Sequence, residues 1–192
     1  MGLTVEKCLQ AWTNSLKQMN AKADIVFFGD SLTYYGDFSS VFPGKVVCNL
    51  GLRGDTVQGI IDRVEQVKIL KPQIVYLMVG INDVENYTLG EFRSLYSILL
   101  RCIKTEISWA VVIVQSLLPV NNQKFSISCN NEQIMNCNEA IKNISIYFRF
   151  RYVDLFSLFV KDGVLPKEDT IDGIHLKKIA YNKWYNFLQE SY

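Results

Sequence analysis

The sequence predicts an open α/β fold, a parallel sheet with helices on both faces, and three observations predict it. Short β-branched runs alternate with stretches of helical apolar rhythm along the whole chain. The first four runs are apolar at consecutive positions, as strands covered on both faces must be. Three of the runs end in polar clusters, Gly29-Asp30-Ser31, Asn49-Leu50-Gly51 and Gly80-Ile81-Asn82-Asp83. In sheets of this kind ligands bind beyond the carboxyl ends of the strands, so these clusters are expected to gather at one edge.

Taken in order, the chain opens on a helical rhythm, Leu3, Val5, Cys8, Leu9, Trp12 and Leu16, interrupted by Glu6, Lys7 and Lys17. Residues 1–22 are expected to form a helix packed on one domain spanning residues 1–192. With these charges interrupting the apolar positions no secretory signal is expected, and neither is myristoylation, since Glu6 stands where a Met1-Gly2 terminus would need Ser or Thr. Strand one is Asp24-Ile-Val-Phe-Phe, and strand two is Lys45-Val-Val-Cys-Asn-Leu; an aperiodic loop over 32–44 joins them. Asp55 or Thr56 caps a helix carrying Val57, Ile60, Ile61, Val64 and Val67 on one face. Strand three is Gln73-Ile-Val-Tyr-Leu-Met-Val. Thr88 or Gly90 opens the helix of Phe92, Leu95, Tyr96, Leu99, Leu100 and Ile103. Strand four is Trp109-Ala-Val-Val-Ile-Val-Gln-Ser, stopped near Pro119. After a loop over 117–130, Asn131 precedes a helix carrying Ile134, Met135, Ala140, Ile141 and Ile144. Phe150-Arg-Tyr-Val-Asp-Leu is a weaker fifth strand. A third long loop, 161–172, leads to a last helix expected to begin near His175, with Ile179, Tyr181, Trp184, Phe187 and Leu188 on its buried face.

Composition narrows the function classes. In 192 residues, 49% are hydrophobic and 20% charged, the balance of a globular domain, and a chain of this size buries about 70% of its surface without metal or disulfide staples. The net charge of +1 comes without a dense basic run, which argues against a nucleic-acid partner. No segment reaches the ~18 consecutive apolar residues of a membrane helix. Five cysteines, an odd set without C-x-x-C spacing, suggest a reducing, cytoplasmic setting; Cys48 and Cys102 read as small hydrophobes. Asn86 and Asn143 match the glycosylation sequon, a pattern common by chance.

The chain holds one histidine, His175. Ser31 follows an apolar strand and Gly29, where a sharp turn can present its hydroxyl. A serine hydroxyl is a poor nucleophile until a base takes its proton, and His175 is the one imidazole available. Asp172, three residues earlier, can hold one ring nitrogen and leave the other to face Ser31. Acyl transfer also needs donors for the developing oxyanion. The Ser31 N–H, the Gly51 N–H and the Asn82 side chain qualify, and glycine at 51 leaves the substrate oxygen unobstructed. Each residue also has a structural reading. Ser31 or Asp172 can cap a helix, Asn82 or Gly51 can serve a turn, and Asp30 and Asp83 can accept backbone N–H bonds in support of their neighbours. Arg53 is either a substrate contact or a loop anchor. Tyr34, Tyr35, Phe38 and Phe42 either wall a pocket or pack beneath their loop.

Four segments, Gly29-Asp30-Ser31-Leu32-Thr33, Asn49 to Thr56, Gly80-Ile81-Asn82-Asp83 and Asp172-Gly173-Ile174-His175, resemble in order the four sequence blocks of the GDSL/SGNH hydrolase family. The resemblance spans roughly residues 24 to 188. It implies a flavodoxin-like three-layer α/β/α sandwich with a five-stranded parallel sheet in the order 2-1-3-4-5. It also implies an ester hydrolase with Ser31 as nucleophile, His175 as base, Asp172 orienting it, and Ser31, Gly51 and Asn82 forming the oxyanion hole. Neither a cofactor nor a metal is implied. G-x-S-x-G is absent around Ser31, so the unrelated α/β-hydrolase elbow does not fit. The one departure, Ala180-Tyr181 where the family often has Gly-Tyr, falls on a packing position. Ser116 to Asn121 and the C-terminal segment look like the small branch with platelet-activating-factor acetylhydrolase-like proteins and sugar acetylesterases.

The expected function is hydrolysis of a small acyl ester, acetyl foremost and carried on a carbohydrate in one version, with a homodimer as one possible assembly. Lysophospholipase, thioesterase and sugar O-acyltransferase chemistry use the same residues. A degenerate hydrolase retained for binding is the alternative of another class. A flavin-binding version does not suit the loop after strand one, where Asp30 would repel phosphate.

Overall fold

The computed structural model describes residues 5–191; the Met1-Gly2 opening and Leu3 lie outside them. Five strands form one parallel sheet: β1 (Ile25–Gly29), β2 (Val47–Gly51), β3 (Ile74–Met78), β4 (Val111–Gln115) and β5 (Arg151–Val153). Their order is β2-β1-β3-β4-β5, the flavodoxin-like order expected. The register sets Gly29 of β1 opposite Gly51 of β2 and Met78 of β3, so all three strands end together.

Side-chain alternation divides the core. Val26 and Phe28 of β1 join one buried cluster, Ile25 and Phe27 the other. The first is covered by α1 (Val5–Gln18), α3 (Val57–Asp62), α4 (Val64–Leu70), α5 (Leu89–Glu106) and α6 (Asn131–Tyr147). The second lies under α2 (Ser31–Tyr34), a 3₁₀ turn over Phe38–Val41, α7 (Phe156–Phe159) and α8 (Lys178–Ser191). On that side Phe27 stacks on Phe38 at 3.8 Å and on Tyr76 at 4.7 Å, and Phe38 meets Trp184 edge-on.

Four local expectations need correction. Residues 57–67 form two helices rather than one, broken at Arg63 (φ −121°, ψ 16°). The final helix starts at Lys178, leaving His175 in the preceding loop. The loop over 32–44 contains most of α2 and the 3₁₀ turn. Asn131 does not precede α6 but is its first residue, after the cap Asn130. Asn131 instead reaches outward, its side chain bonding both backbone groups of Val120 and the Gly163 carbonyl, and so fastens two of the long loops together.

Candidate active site

The end of β1 builds the first part of the site. Asp30 caps α2, its Oδ1 accepting the Leu32 N–H at 2.9 Å, and Ser31 occupies the first helical position. Residues in the first helical turn have no intrahelical acceptor for their N–H, so the Ser31 N–H points off the helix end. Two contacts seat α2. Tyr181 Oη, on α8, donates to the Leu32 carbonyl at 2.7 Å. Asn49 Nδ2, on β2, donates to the Thr33 and Gly36 carbonyls at 2.8 and 2.9 Å.

Gly51 serves this seating. A Cβ there would lie 2.2 Å from Tyr34 N and 2.5 Å from its Cα, so glycine is required for α2 to approach β2. This packing reason stands beside the expected one, room for a substrate oxygen. Its N–H donates to Asn49 Oδ1 at 2.8 Å.

The second part comes from the loop before α8. Gly173 adopts φ +94° and its N–H donates to Thr170 Oγ1, while Ile171 N donates to the His175 carbonyl. This tight loop returns His175 to the sheet edge. Ser31 Oγ lies 2.9 Å from His175 Nε2, and His175 Nδ1 lies 2.7 Å from Asp172 Oδ2. A carboxylate only accepts, so the ring carries its hydrogen on Nδ1 and offers the Nε2 lone pair to the serine. Asp172 Oδ1 accepts the Ile174 and His175 N–H groups. Burial raises its pKa, but the bonds from His175 and Ile174 outweigh burial and hold the carboxyl below the usual carboxylate range.

The third part ends β3. Asn82 Nδ2 donates to the Asp55 carbonyl at 2.8 Å, which fixes the amide while leaving its second N–H. Asp83 accepts the Val57 N–H and is buried. Burial pushes the Asp83 carboxyl up to about 6 and that of fully buried Asp30 up to about 7; in each case the field of Asp55 adds and a backbone hydrogen bond opposes. Among the described residues Asp30 Oδ2 has no hydrogen-bond partner.

The aromatics of the loop divide between their two readings. Phe38 and Phe42 are buried against the sheet, whereas Tyr34 and Tyr35 stand about half exposed. Tyr35 meets His175 edge-on at 5.7 Å, and exposed Arg53 places its guanidinium 5.8 Å from the Tyr35 ring. A cavity of about 460 Å³ opens beside this ring, walled by Ile171, Leu176, Tyr181 and Tyr185. Sequence reasoning missed Asn49 and Arg63. Asn49 lay inside a recognised segment as a strand residue, and Arg63 inside an apparently continuous helix. Among the described residues no group of three or more His, Cys, Asp or Glu is placed to hold a metal ion, and no helix is long and apolar enough to cross a membrane.

Solved structures share the architecture. A candidate platelet activating factor from Streptococcus pneumonia superposes with a TM-score of 0.81 at 22% identity, covering 97% of this chain and 97% of its own. A candidate acylhydrolase from Bacteroides fragilis gives 0.76 at 24% identity, covering 94% and 96%. A GDSL-like lipase from Bacteroides thetaiotaomicron gives 0.76 at 20%, covering 97% and 96%. At these identities the likeness is one of fold. No curated protein matches significantly. The model of the GDSL-like lipase/acylhydrolase family, a family of carboxylic ester hydrolases, matches residues 27–183 and so takes in all four segments: the chain belongs to that family.

Proposed function

We propose that the protein hydrolyses a small acyl ester, acetyl foremost, through an acyl-enzyme on Ser31. The observation that carries this reading is the unbroken chain Ser31 Oγ–His175 Nε2, His175 Nδ1–Asp172 Oδ2. His175 takes the serine proton as Oγ attacks the ester carbonyl, and Asp172 stabilises the imidazolium that forms. The imidazolium returns the proton to the leaving alkoxide. Water, deprotonated by the same nitrogen, then attacks the acyl carbonyl; the bond to Oγ breaks, the imidazolium returns the proton to Oγ, and the acid leaves. The Ser31 N–H and the free N–H of Asn82 receive the developing oxyanion; the Gly51 N–H, already engaged by Asn49, contributes as a shared donor. Asp30 and Asp83 hold the backbone on either side, and Tyr34, Tyr35 and Arg53 stand at the mouth as substrate contacts.

Ser31→Ala is expected to lower kcat on p-nitrophenyl acetate by at least about 10³-fold with an unchanged circular dichroism spectrum, and to lose labelling by a fluorophosphonate probe. Undiminished turnover in that variant would exclude Ser31 as nucleophile. A wild-type protein inert to both reagents would favour the binding-domain reading.

The 460 Å³ cavity beside Tyr35 favours a second version, in which a longer acyl chain or a bulkier alcohol is accommodated. A p-nitrophenyl ester series from acetate to dodecanoate decides between them. Values of kcat/KM that peak at acetate support the small-acyl reading, and values that peak at long chains support the lysophospholipase or thioesterase one.

A further inference from the structure

Arg63 is the most deeply buried cation among the described residues, its side chain 1% exposed, and its polar partners are Asp55, Gln66 and Gly29 rather than Ser31 or His175. Each of its three guanidinium nitrogens has a partner. Nε donates to Asp55 Oδ2 at 2.8 Å, Nη2 lies 2.6 Å from the same oxygen and donates to the Gly29 carbonyl at 3.0 Å, and Nη1 donates to Gln66 Oε1 at 3.3 Å. Its carbon sits 4.5 Å from the centre of the Phe28 ring. The helix break at Arg63 separates α3 from α4 at the residue that carries this side chain inward.

Stability alone is a poor reason for such a pair. Removing two charges from water costs several kcal/mol each, and apolar replacements of similar volume are often as stable or more so. Burial indeed raises the Asp55 carboxyl and lowers the Arg63 guanidinium, each opposed by its partner. What the pair does supply is geometry at two places. The Gly29 carbonyl, two residues before Ser31, also accepts the N–H of Leu52, the residue after Gly51. The Asp55 backbone carbonyl holds the Asn82 amide. Asp55 is itself locked: its Oδ1 accepts the Thr56 N–H and lies where a Cβ on Gly59 would be, 1.9 Å away. One guanidinium therefore joins the strand end that presents Ser31 to the loop that aims Asn82.

We propose that Arg63 is a positioning residue that presets the distance between the Ser31 and Asn82 oxyanion donors, acting through Gly29 and Asp55. The proposal rests on the reading of Asn82 as an oxyanion donor. Donors that must meet a charge appearing only in the transition state act through kcat, and an ångström of misplacement costs about 10²-fold. A lysine keeps the charge but lacks the planar fork that spans Asp55 and Gly29 together.

The test is a double-mutant cycle on p-nitrophenyl acetate with Arg63→Lys and Asn82→Ala. Arg63→Lys alone is expected to lower kcat about 30-fold with KM within about threefold, and to lower it less than about threefold further in the Asn82→Ala background. Multiplicative losses, a loss confined to KM, or full activity in Arg63→Lys would overturn the proposal. Should Arg63→Lys not fold, Asp55→Asn, which keeps the backbone carbonyl and removes the ion pair, is held to the same pattern. A wild-type enzyme that ignores the ester, or an Asn82→Ala variant with full activity, would instead remove the underlying reading of the site.

Discussion

Single residues carry the proposed chemistry, and their legibility depended on scarcity. One histidine in 192 residues, with a carboxylate three positions before it, narrowed the candidate base to one place. Asn49 and Arg63 offered no such mark, since a polar residue in a strand and an arginine in an amphipathic helix are ordinary until tertiary contacts show where they point. Asp30 makes a residue-scale prediction about pH. Its carboxyl, raised to about 7 in the folded protein, keeps a proton that the unfolded chain loses near the ordinary value of about 4. Folding stability therefore falls as pH rises through that window and levels off above it; Asp83, raised to about 6, adds a decline of the same sign. Asparagine can still accept the Leu32 N–H as a cap. Asp30→Asn is thus expected to be more stable than wild type at about pH 8, by up to about 4 kcal/mol, with the advantage vanishing near pH 4. Urea unfolding across that range checks it, and parallel pH profiles for the two proteins would refute it.

At the scale of elements, strands were readable because four apolar runs had strand length and three of them ended in glycine-containing clusters, whereas helix boundaries were not. The periodicity of residues 57–67 runs through the break at Arg63, because α3 and α4 both bury residues against the same face of the sheet. Likewise the buried rhythm of the last helix hides its start, and the bonds that hold His175 in a loop come from Thr170 and Asp172. The seating of α2 on β2 is the element contact on which the placement of Ser31 depends. Gly51→Ala puts a methyl group 2.2 Å from Tyr34 N, so α2 must shift. The expected result is a destabilisation of about 1–3 kcal/mol and at least a 10²-fold loss of kcat, read by urea unfolding and by p-nitrophenyl acetate turnover. Wild-type kinetics in Gly51→Ala would show that Ser31 does not rely on this contact.

Across the whole molecule, a parallel sheet converts distant sequence into one rim. Ser31 and His175, 144 residues apart, meet because β1 lies inside the sheet and α8 returns across the face that carries Phe27 and Tyr76. The strand order was legible from the resemblance, and the rim from the position of the polar clusters. The mutual anchoring of the long loops by asparagine side chains was not, since it arises only after folding. Trp184 joins α8 to that face with no exposed surface. Trp184→Ala is expected to cost about 3–5 kcal/mol, measured as a lowered urea midpoint with an unchanged slope. A cost below about 1 kcal/mol would mean that α8 is not fixed by this core.

The most direct test of the account is to trap the acyl-enzyme. Rapid quenching of the wild-type protein with p-nitrophenyl acetate, followed by peptide mass spectrometry, should find one acetyl group on Ser31 and none in Ser31→Ala. An acetyl group on another residue, or steady turnover in Ser31→Ala, would contradict it.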